Sequence, residues 1–282
     1  MKFSVSCLLE YYVPAPLTFL VNVRAHEGYG QRCLSENLDL PPGLDHRMQT
    51  CAATGTRFDR LHAYTPGNYQ FRYSAEVEVS LHRFAVGGLY DAGPEVFDTS
   101  VFPYLYPSRY CQSDRFEHLV LDLFGYATDA ESRVRAVVDW LCTHLTYVSG
   151  STNVGTSAVD SMVDRIGVCR DYAHLGIAFC RAMNIPARYF TGYAHYIQPP
   201  DFHACFETWI GGRWLLWDPT GLSSPDGLVR IGSGRDASDC SICTSFGAIT
   251  LLRQEVFCDA TDPNYRKMEH HLLQQNSFSL AC

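Results

Sequence analysis

The chain has 282 residues, of which 46% are hydrophobic and 18% are charged, and its formal net charge is −8. These proportions are typical of a folded protein and exclude a largely disordered chain. The 22 Lys and Arg residues are scattered without a basic stripe, so the sequence gives no electrostatic footprint for nucleic acid.

The length predicts two domains of ordinary size. We find no run of 18 apolar residues, so we expect no membrane-spanning segment. The first residues lack the small-residue cleavage site of an export signal. We therefore expect a cytoplasmic protein whose 12 cysteines stay reduced, without a disulfide framework.

Residues 1–81 predict an antiparallel β domain, either a sandwich or a barrel. Apolar residues alternate with smaller or polar ones along residues 3–9 and 17–23, and most strictly along residues 69–81. Alternation of period two indicates a sheet with one buried face and one wet face. The turn residues at 66–68 predict a hairpin that pairs the strand at 57–64 with the strand at 69–81.

Residues 82–113 lose this alternation and are rich in Gly, Pro and aromatic residues. We interpret them as an ordered connector, because a flexible linker would be poor in Tyr and Phe. The connector places the domain boundary near residue 110. We predict an N-terminal β domain over residues 1–110 and a second domain over residues 111–282.

Residues 128–145 predict an amphipathic helix. Thr128 and Glu131 have the spacing of a capping box, in which two side chains satisfy free N–H groups of the first turn. The apolar face of this helix comprises Val134, Val137, Val138, Leu141, Cys142 and Leu145. A polar loop follows at residues 149–157, and we expect it to border a cleft.

A second helix is predicted from Cys169 to Met183. Gly167 marks a turn before it, and Asn184 and Pro186 supply stop signals after it. The free N–H groups and the dipole of a helix N-terminus stabilise a thiolate, which is the nucleophilic form of a thiol. Cys169 is therefore a candidate nucleophile. The alternative is a structural role, because most buried cysteines are small core residues.

Residues 203–220 predict a β hairpin. Gly211 and Gly212 stand between two aromatic-rich runs, which is the signal of a two-residue turn. If Ile210 pairs with Arg213, the register of the whole hairpin follows from that pair.

In that register His203 and Asp218 are diagonal neighbours on one face, with about 7–8 Å between their backbones. An imidazole oriented by a carboxylate is half of a nucleophilic triad. A purely structural pair is the alternative, and the choice depends on whether Cys169 arrives over the same face.

Cys240 and Cys243 form the one closely spaced cysteine pair of the sequence. A zinc site would need two further ligands at a suitable spacing, and no second pair occurs. No strand-then-helix pattern of a redox motif surrounds the pair. We therefore expect no metal site.

Residues 119–250 resemble the transglutaminase-like superfamily, in particular its bacterial members described as cysteine proteases. The resemblance rests on blocks in the same order and spacing: Gly167-Val-Cys169-Arg170-Asp171-Tyr-Ala-His174, Asn184-Ile-Pro-Ala-Arg188, Pro200-Asp-Phe-His203-Ala204, Gly212-Arg-Trp214, Asp218-Pro-Thr220 and Val229-Arg-Ile-Gly-Ser-Gly-Arg-Asp236. The β-rich first part also resembles the N-terminal domain that accompanies this core in bacterial proteins.

The resemblance implies an α+β protein in which the β domain is followed by a papain-like core, with a cysteine-bearing helix packed on an antiparallel sheet. It implies Cys169 as nucleophile, His203 as base and Asp218 as orienting acid. The N–H of Cys169 is the expected first oxyanion donor. For the second donor Tyr147 is the one candidate that we can name.

In the same motif Arg170, Asp171 and His174 lie at helical spacing, and we interpret them as a supporting ion cluster.

The implied activity is thiol-dependent acyl transfer or hydrolysis at an amide or peptide bond through a thioester. A cysteine protease or amidase is the main expectation. A transglutaminase-type acyltransferase that joins an acyl group to an amine is the alternative, and a non-catalytic binding protein is the third. The expected partner is a peptide, protein or small amide substrate, with no nucleic acid, membrane, cofactor or metal. The sequence does not indicate an oligomeric state.

Overall fold

The computed structural model describes residues 1–89 and 93–280. Within these residues the chain forms sixteen strands and five helices. In chain order they are β1 (Lys2–Val13), β2 (Leu17–Val21), β3 (Gln31–Asp39), β4 (Leu44–Thr50), β5 (Arg57–Ala63), β6 (Gly67–Val79), β7 (Leu81–Ala85), α1 (Glu117–Phe124), α2 (Ala130–His144), β8 (Thr146–Tyr147), α3 (Ala158–Asp164), β9 (Ile166–Gly167), α4 (Cys169–Ala182), β10 (Ala187–Ala194), β11 (Phe202–Ile210), β12 (Arg213–Trp217), β13 (Leu228–Gly234), β14 (Cys243–Ser245), β15 (Thr250–Ala260), α5 (His270–Gln275) and β16 (Asn276–Leu280).

Two four-stranded antiparallel sheets form the N-terminal β domain, with strand orders β15-β1-β6-β3 and β14-β2-β5-β4. The alternation in β6 has the predicted effect, since every second residue from Tyr69 to Val79 is buried. These residues join Phe3 and Phe19 in one hydrophobic core. Burying one such aromatic or aliphatic side chain contributes about 1.5–3 kcal/mol. The predicted antiparallel β domain is confirmed.

The predicted hairpin between the strands at 57–64 and 69–81 is wrong. β5 pairs with β2 and β4, whereas β6 pairs with β1 and β3. The turn between them carries the chain from one sheet to the other. Alternation shows which face of a strand is buried, and it does not show which strand lies beside it.

The C-terminal residues return to the N-terminal sheets. β15 is antiparallel to β1, and β14 is antiparallel to β2, so each sheet combines three strands of the N-terminal part with one strand of the C-terminal part. β16 pairs in the same way with β7. The domain boundary near residue 110 stays a prediction, and residues 243–260 lie among the strands of the N-terminal part.

The predicted connector at residues 82–113 contains most of β7 and two short 3₁₀ turns in its described part, Pro94–Val96 and Phe102–Tyr104, while residues 90–92 lie outside the described residues. The predicted helix after it is α2, but its cap is Asp129 rather than Thr128. The Asp129 carboxylate accepts a hydrogen bond from the N–H of Ser132 at 2.9 Å. Glu131 instead accepts one from the N–H of Gly87, and so ties α2 to the end of β7.

The second core is built on the antiparallel sheet β12-β11-β10-β13. Helix α4 packs on β10 and β11, and on its other side the fully buried ring of Phe179 contacts Phe124 of α1 and Trp140 of α2. Gly176 permits a close approach, because a Cβ atom there would lie 2.7 Å from the ring of Phe206. A cysteine-bearing helix on an antiparallel sheet is the architecture that the family resemblance implies, and it is confirmed.

Among the helices of residues 1–89 and 93–280, none combines the length and the apolar character needed to cross a membrane.

Candidate active site

Cys169 is the first residue of α4. The preceding N–H of Val168 donates to the Asp171 carboxylate at 2.9 Å, and the hydroxyl of Thr152 donates to the same oxygen at 2.7 Å. Asp171 is fully buried and so fixes the start of the helix. At Gly167 a Cβ atom would lie 2.8 Å from the Cβ of Asp171, which explains the glycine two residues before the thiol.

Arg170 fastens the polar loop at residues 149–157 to this helix start. Its guanidinium pairs with Asp171 at 3.1 Å and donates to the carbonyl of Asn153 at 2.7 Å. The loop therefore borders the N-terminus of α4, and Arg170 and Asp171 form an ion pair as expected.

His174 is not part of that ion cluster. Burial lowers its pKa to about 3, so the imidazole is neutral. Its Nε2 accepts a hydrogen bond from the N–H of Ala237 at 3.2 Å, and its ring stacks on Tyr110. The expectation of a third charged member is wrong, because the ring is fully buried and forms no ion pair with a carboxylate among the described residues.

His203 and Asp218 come from the two sides of the β11–β12 hairpin. The strands pair in the predicted register, with Ile210 opposite Arg213 and Phe206 opposite Trp217. His203 is buried on β11, and Asp218 directly follows β12. The Nε2 atom of the imidazole lies 2.8 Å from Oδ2 of the Asp218 carboxylate.

The Asp218 carboxylate is held by further donors beyond the imidazole. Oδ1 accepts from the N–H of Thr220 at 3.0 Å and from its hydroxyl at 2.6 Å, and Oδ2 accepts from the N–H of Ser223 at 3.2 Å. The sequence did not single out Thr220 or Ser223 for this role. The Asp-Pro-Thr order, with a hydroxyl two residues after the acid, was the one signal present.

The electrostatics of the pair follow from burial and charge. Burial alone would lower the pKa of His203, but the charge and hydrogen bond of Asp218, together with the thiol of Cys169, raise it to about 10. Burial acts to raise the pKa of Asp218, and the imidazole and Thr220 overcome this and lower it. The folded protein thus favours an imidazolium paired with a carboxylate. Cys169, His203 and Asp218 therefore form one interacting set.

Tyr147 comes from β8, which forms a short parallel ladder with β9 and sets Tyr147 opposite Gly167. The N–H of Val148 extends this ladder by donating to the carbonyl of Gly167 at 3.0 Å. The phenol interacts with both the backbone N–H and the thiol of Cys169. Burial and the neighbouring thiol raise the pKa of Tyr147 to about 12, so the hydroxyl keeps its proton at neutral pH.

Cys240 and Cys243, the closely spaced cysteine pair, are both unpaired thiols. Cys240 is buried, and its thiol donates to the carbonyl of Asp236 at 3.8 Å. No group of three or more metal-binding side chains occurs in the described part of the chain. The eleven cysteines there are all free thiols, and Cys282 lies outside the described residues.

A thiol at a helix N-terminus beside a histidine and acid on an antiparallel sheet is the arrangement of papain-like thiol enzymes. The family model of the transglutaminase-like superfamily matches residues 117–219, and the model of the bacterial transglutaminase N-terminal domain matches residues 1–87.

The crystal structure of a putative cysteine protease from Cytophaga hutchinsonii is 40% identical in sequence to this chain. It superposes with a TM-score of 0.94, and the match covers 99% of this chain and 97% of that one. The chain therefore belongs to the transglutaminase-like superfamily.

Two mycobacterial relatives match over a shorter part. An uncharacterized protein of Mycobacterium leprae (strain TN) is 35% identical over 115 residues, which are 38% of this chain and 41% of that protein. An uncharacterized protein of Mycobacterium tuberculosis (strain ATCC 25618 / H37Rv) is 35% identical over 121 residues, 38% of each chain. The match thus spans about two fifths of the length of these curated relatives.

Proposed function

We propose that the protein is a thiol-dependent amide hydrolase, a cysteine protease or amidase, with Cys169 as nucleophile, His203 as general base and acid, and Asp218 as orienting acid. The observation that carries the proposal is the interaction of a helix-terminal thiol with a buried imidazole whose other side meets a carboxylate at 2.8 Å. A purely structural histidine and aspartate pair would not need a thiol on the side of the imidazole that faces away from the carboxylate.

In the proposed reaction the proton of Cys169 already resides on His203 as an imidazolium, and the thiolate attacks the carbonyl carbon of the substrate. The tetrahedral intermediate collapses when the imidazolium gives that proton to the leaving amine, and a thioester remains. Water then attacks the thioester with His203 again as base, which releases the acid and restores the thiol. Asp218 stabilises the imidazolium of both steps and remains ionised throughout.

The developing negative charge on the carbonyl oxygen needs donors in a fixed position. We propose the N–H of Cys169 as one donor, since the first N–H groups of a helix have no acceptor within the helix. The hydroxyl of Tyr147 is our second donor, because it interacts with this same N–H and with the thiol.

The test begins with a peptide library that is screened for cleavage and for incorporation of an added primary amine. We expect release of the acid, abolished by Cys169→Ala. An amine that diverts the product from acid to amide without slowing loss of substrate would assign the acyltransferase alternative. Binding of a library peptide without turnover, equal in wild type and Cys169→Ala, would contradict the enzymatic proposal.

The substrates that fit this chemistry are peptides, proteins or small amides. We also propose that the protein works in the cytoplasm, because Cys7, Cys111, Cys180 and the other described cysteines are unpaired thiols. A reducing cytosol maintains that state, and an oxidising compartment would favour disulfides.

A further inference from the structure

Asp201 is an acidic residue beside the proposed site that the triad does not use. It directly precedes β11 and lies two residues before His203. Only Phe202 separates the two residues, so the carboxylate of Asp201 lies at the end of β11 that carries His203.

One oxygen of Asp201 is held rigidly. Oδ1 accepts from the N–H of Phe202 at 2.7 Å and from the amide of Gln254 at 2.6 Å. Gln254 belongs to β15, where it pairs with Leu9 of β1. A residue of the N-terminal sheet thus orients this carboxylate.

The other oxygen is free to bind a ligand. Oδ2 of Asp201 has no hydrogen-bond partner, and no cationic side chain pairs with it, among the residues that the structure describes. The side chain is solvent-accessible. Its charge acts on the imidazole of His203 and on the hydroxyl of Tyr147, so it lies beside the proposed site.

We propose that Asp201 is the binding site for a cationic group, a primary ammonium or a guanidinium, that the substrate carries next to its reacting carbonyl. This inference rests on the proposed function of Cys169. An ionised carboxylate with one unpaired oxygen pairs with such groups through short charge-assisted hydrogen bonds. If Asp201 were only structural, its two hydrogen bonds through Oδ1 would suffice. Ligands with and without a positive charge would then reach the site equally well.

The test measures the rate at which Cys169 reacts with three methanethiosulfonates that carry a trimethylammonium, a neutral methyl or a sulfonate group. Rates are read at Cys169 by peptide mass spectrometry, and no substrate is needed. Asp201→Asn removes the charge at almost constant shape, and Asp201→Glu retains it. Asp122→Asn makes the same charge change at an exposed position on α1.

We expect Asp201→Asn to lower the cation-to-anion rate ratio at Cys169 about three- to tenfold, the range for one charge several ångströms away in partly screened surroundings. The neutral reagent should react at a nearly unchanged rate. Asp201→Glu should keep most of the ratio, and Asp122→Asn should keep all of it. The exposed thiol of Cys142 provides an internal control whose ratio should not respond to Asp201→Asn.

An unchanged ratio in Asp201→Asn, or an equal fall with all three reagents, would overturn the cation site while the reactive thiol of the proposed function remained. A Cys169 that reacts with no reagent faster than Cys142 would overturn the proposed function and this site together.

Discussion

Replacing Asp218 with Asn tests whether this acid serves catalysis or only architecture. Asn keeps the shape and one acceptor oxygen, which can still receive the bonds from Thr220. The variant loses the charge-assisted bond at 2.8 Å to His203. Burial is then the main influence on the pKa of His203, which should fall from its raised value to below 6.5. The imidazole is then no longer charged at neutral pH.

The expected magnitudes differ for the two roles. A lost bond to a charged group costs about 1.5–3 kcal/mol of folding free energy, which corresponds to a melting temperature lower by several degrees. Loss of the orienting acid costs about four orders of magnitude in turnover in the serine-protease example of the same exchange. Catalysis should therefore suffer far more than stability.

Melting temperature and turnover are measured on the same Asp218→Asn sample. The matched control is Asp59→Asn in the N-terminal sheet, because Asp59 is also buried and meets a histidine, His46, at 2.7 Å. The control should lose stability and keep its turnover per folded molecule. A lowered melting temperature with near-normal turnover in Asp218→Asn would remove Asp218 from the site.

Three further predictions concern the other members of the site. Limited iodoacetamide at about pH 6 should label Cys169 before the other cysteines if the proposed ion pair with His203 forms, because reactivity follows the thiolate. Equal labelling in His203→Ala, read by mass spectrometry, would contradict that pair. Tyr147→Phe should lower kcat about 10²–10³-fold with little change in KM if the phenol is an oxyanion donor, and unchanged kcat would exclude the role. Finally, the raised pKa of His203 contributes stability that is fully present below pH 6.5 and is lost as pH rises towards 10. The free energy of unfolding, measured with denaturant across this pH range, should fall in wild type and stay nearly constant in Asp218→Asn. The same pH dependence in both proteins would contradict the prediction.

Short-range patterns in the sequence determined much of the local structure. Alternation identified β6 and its buried face, because side chains of a strand point to opposite sides by geometry. The Gly211-Gly212 turn set the register of β11 and β12 residue by residue, since a two-residue loop leaves one pairing. The turn at Gly167 and the stop signals after α4 placed Cys169 at the helix N-terminus.

Long-range contacts were beyond these patterns. β3 and β4 are largely exposed on both faces, so no alternation marked them. Nothing local distinguished the neighbours of β5 from those of β6, and nothing local indicated that β14 and β15 return to the first strands of the chain. Pairing between distant strands is decided by which faces must be buried together.

The candidate site likewise has features that follow from local sequence and features that depend on tertiary contacts. The sequence by itself determined that the thiol of Cys169 begins a helix and that His203 and Asp218 lie close together on a hairpin, because each depends on a few consecutive residues. Only the tertiary structure decided that α4 packs on β11 so that Cys169 meets His203, and that Gln254 from the first sheet orients Asp201. Those contacts join residues far apart in the chain, and only the packing of helix and sheets into common cores brings them together.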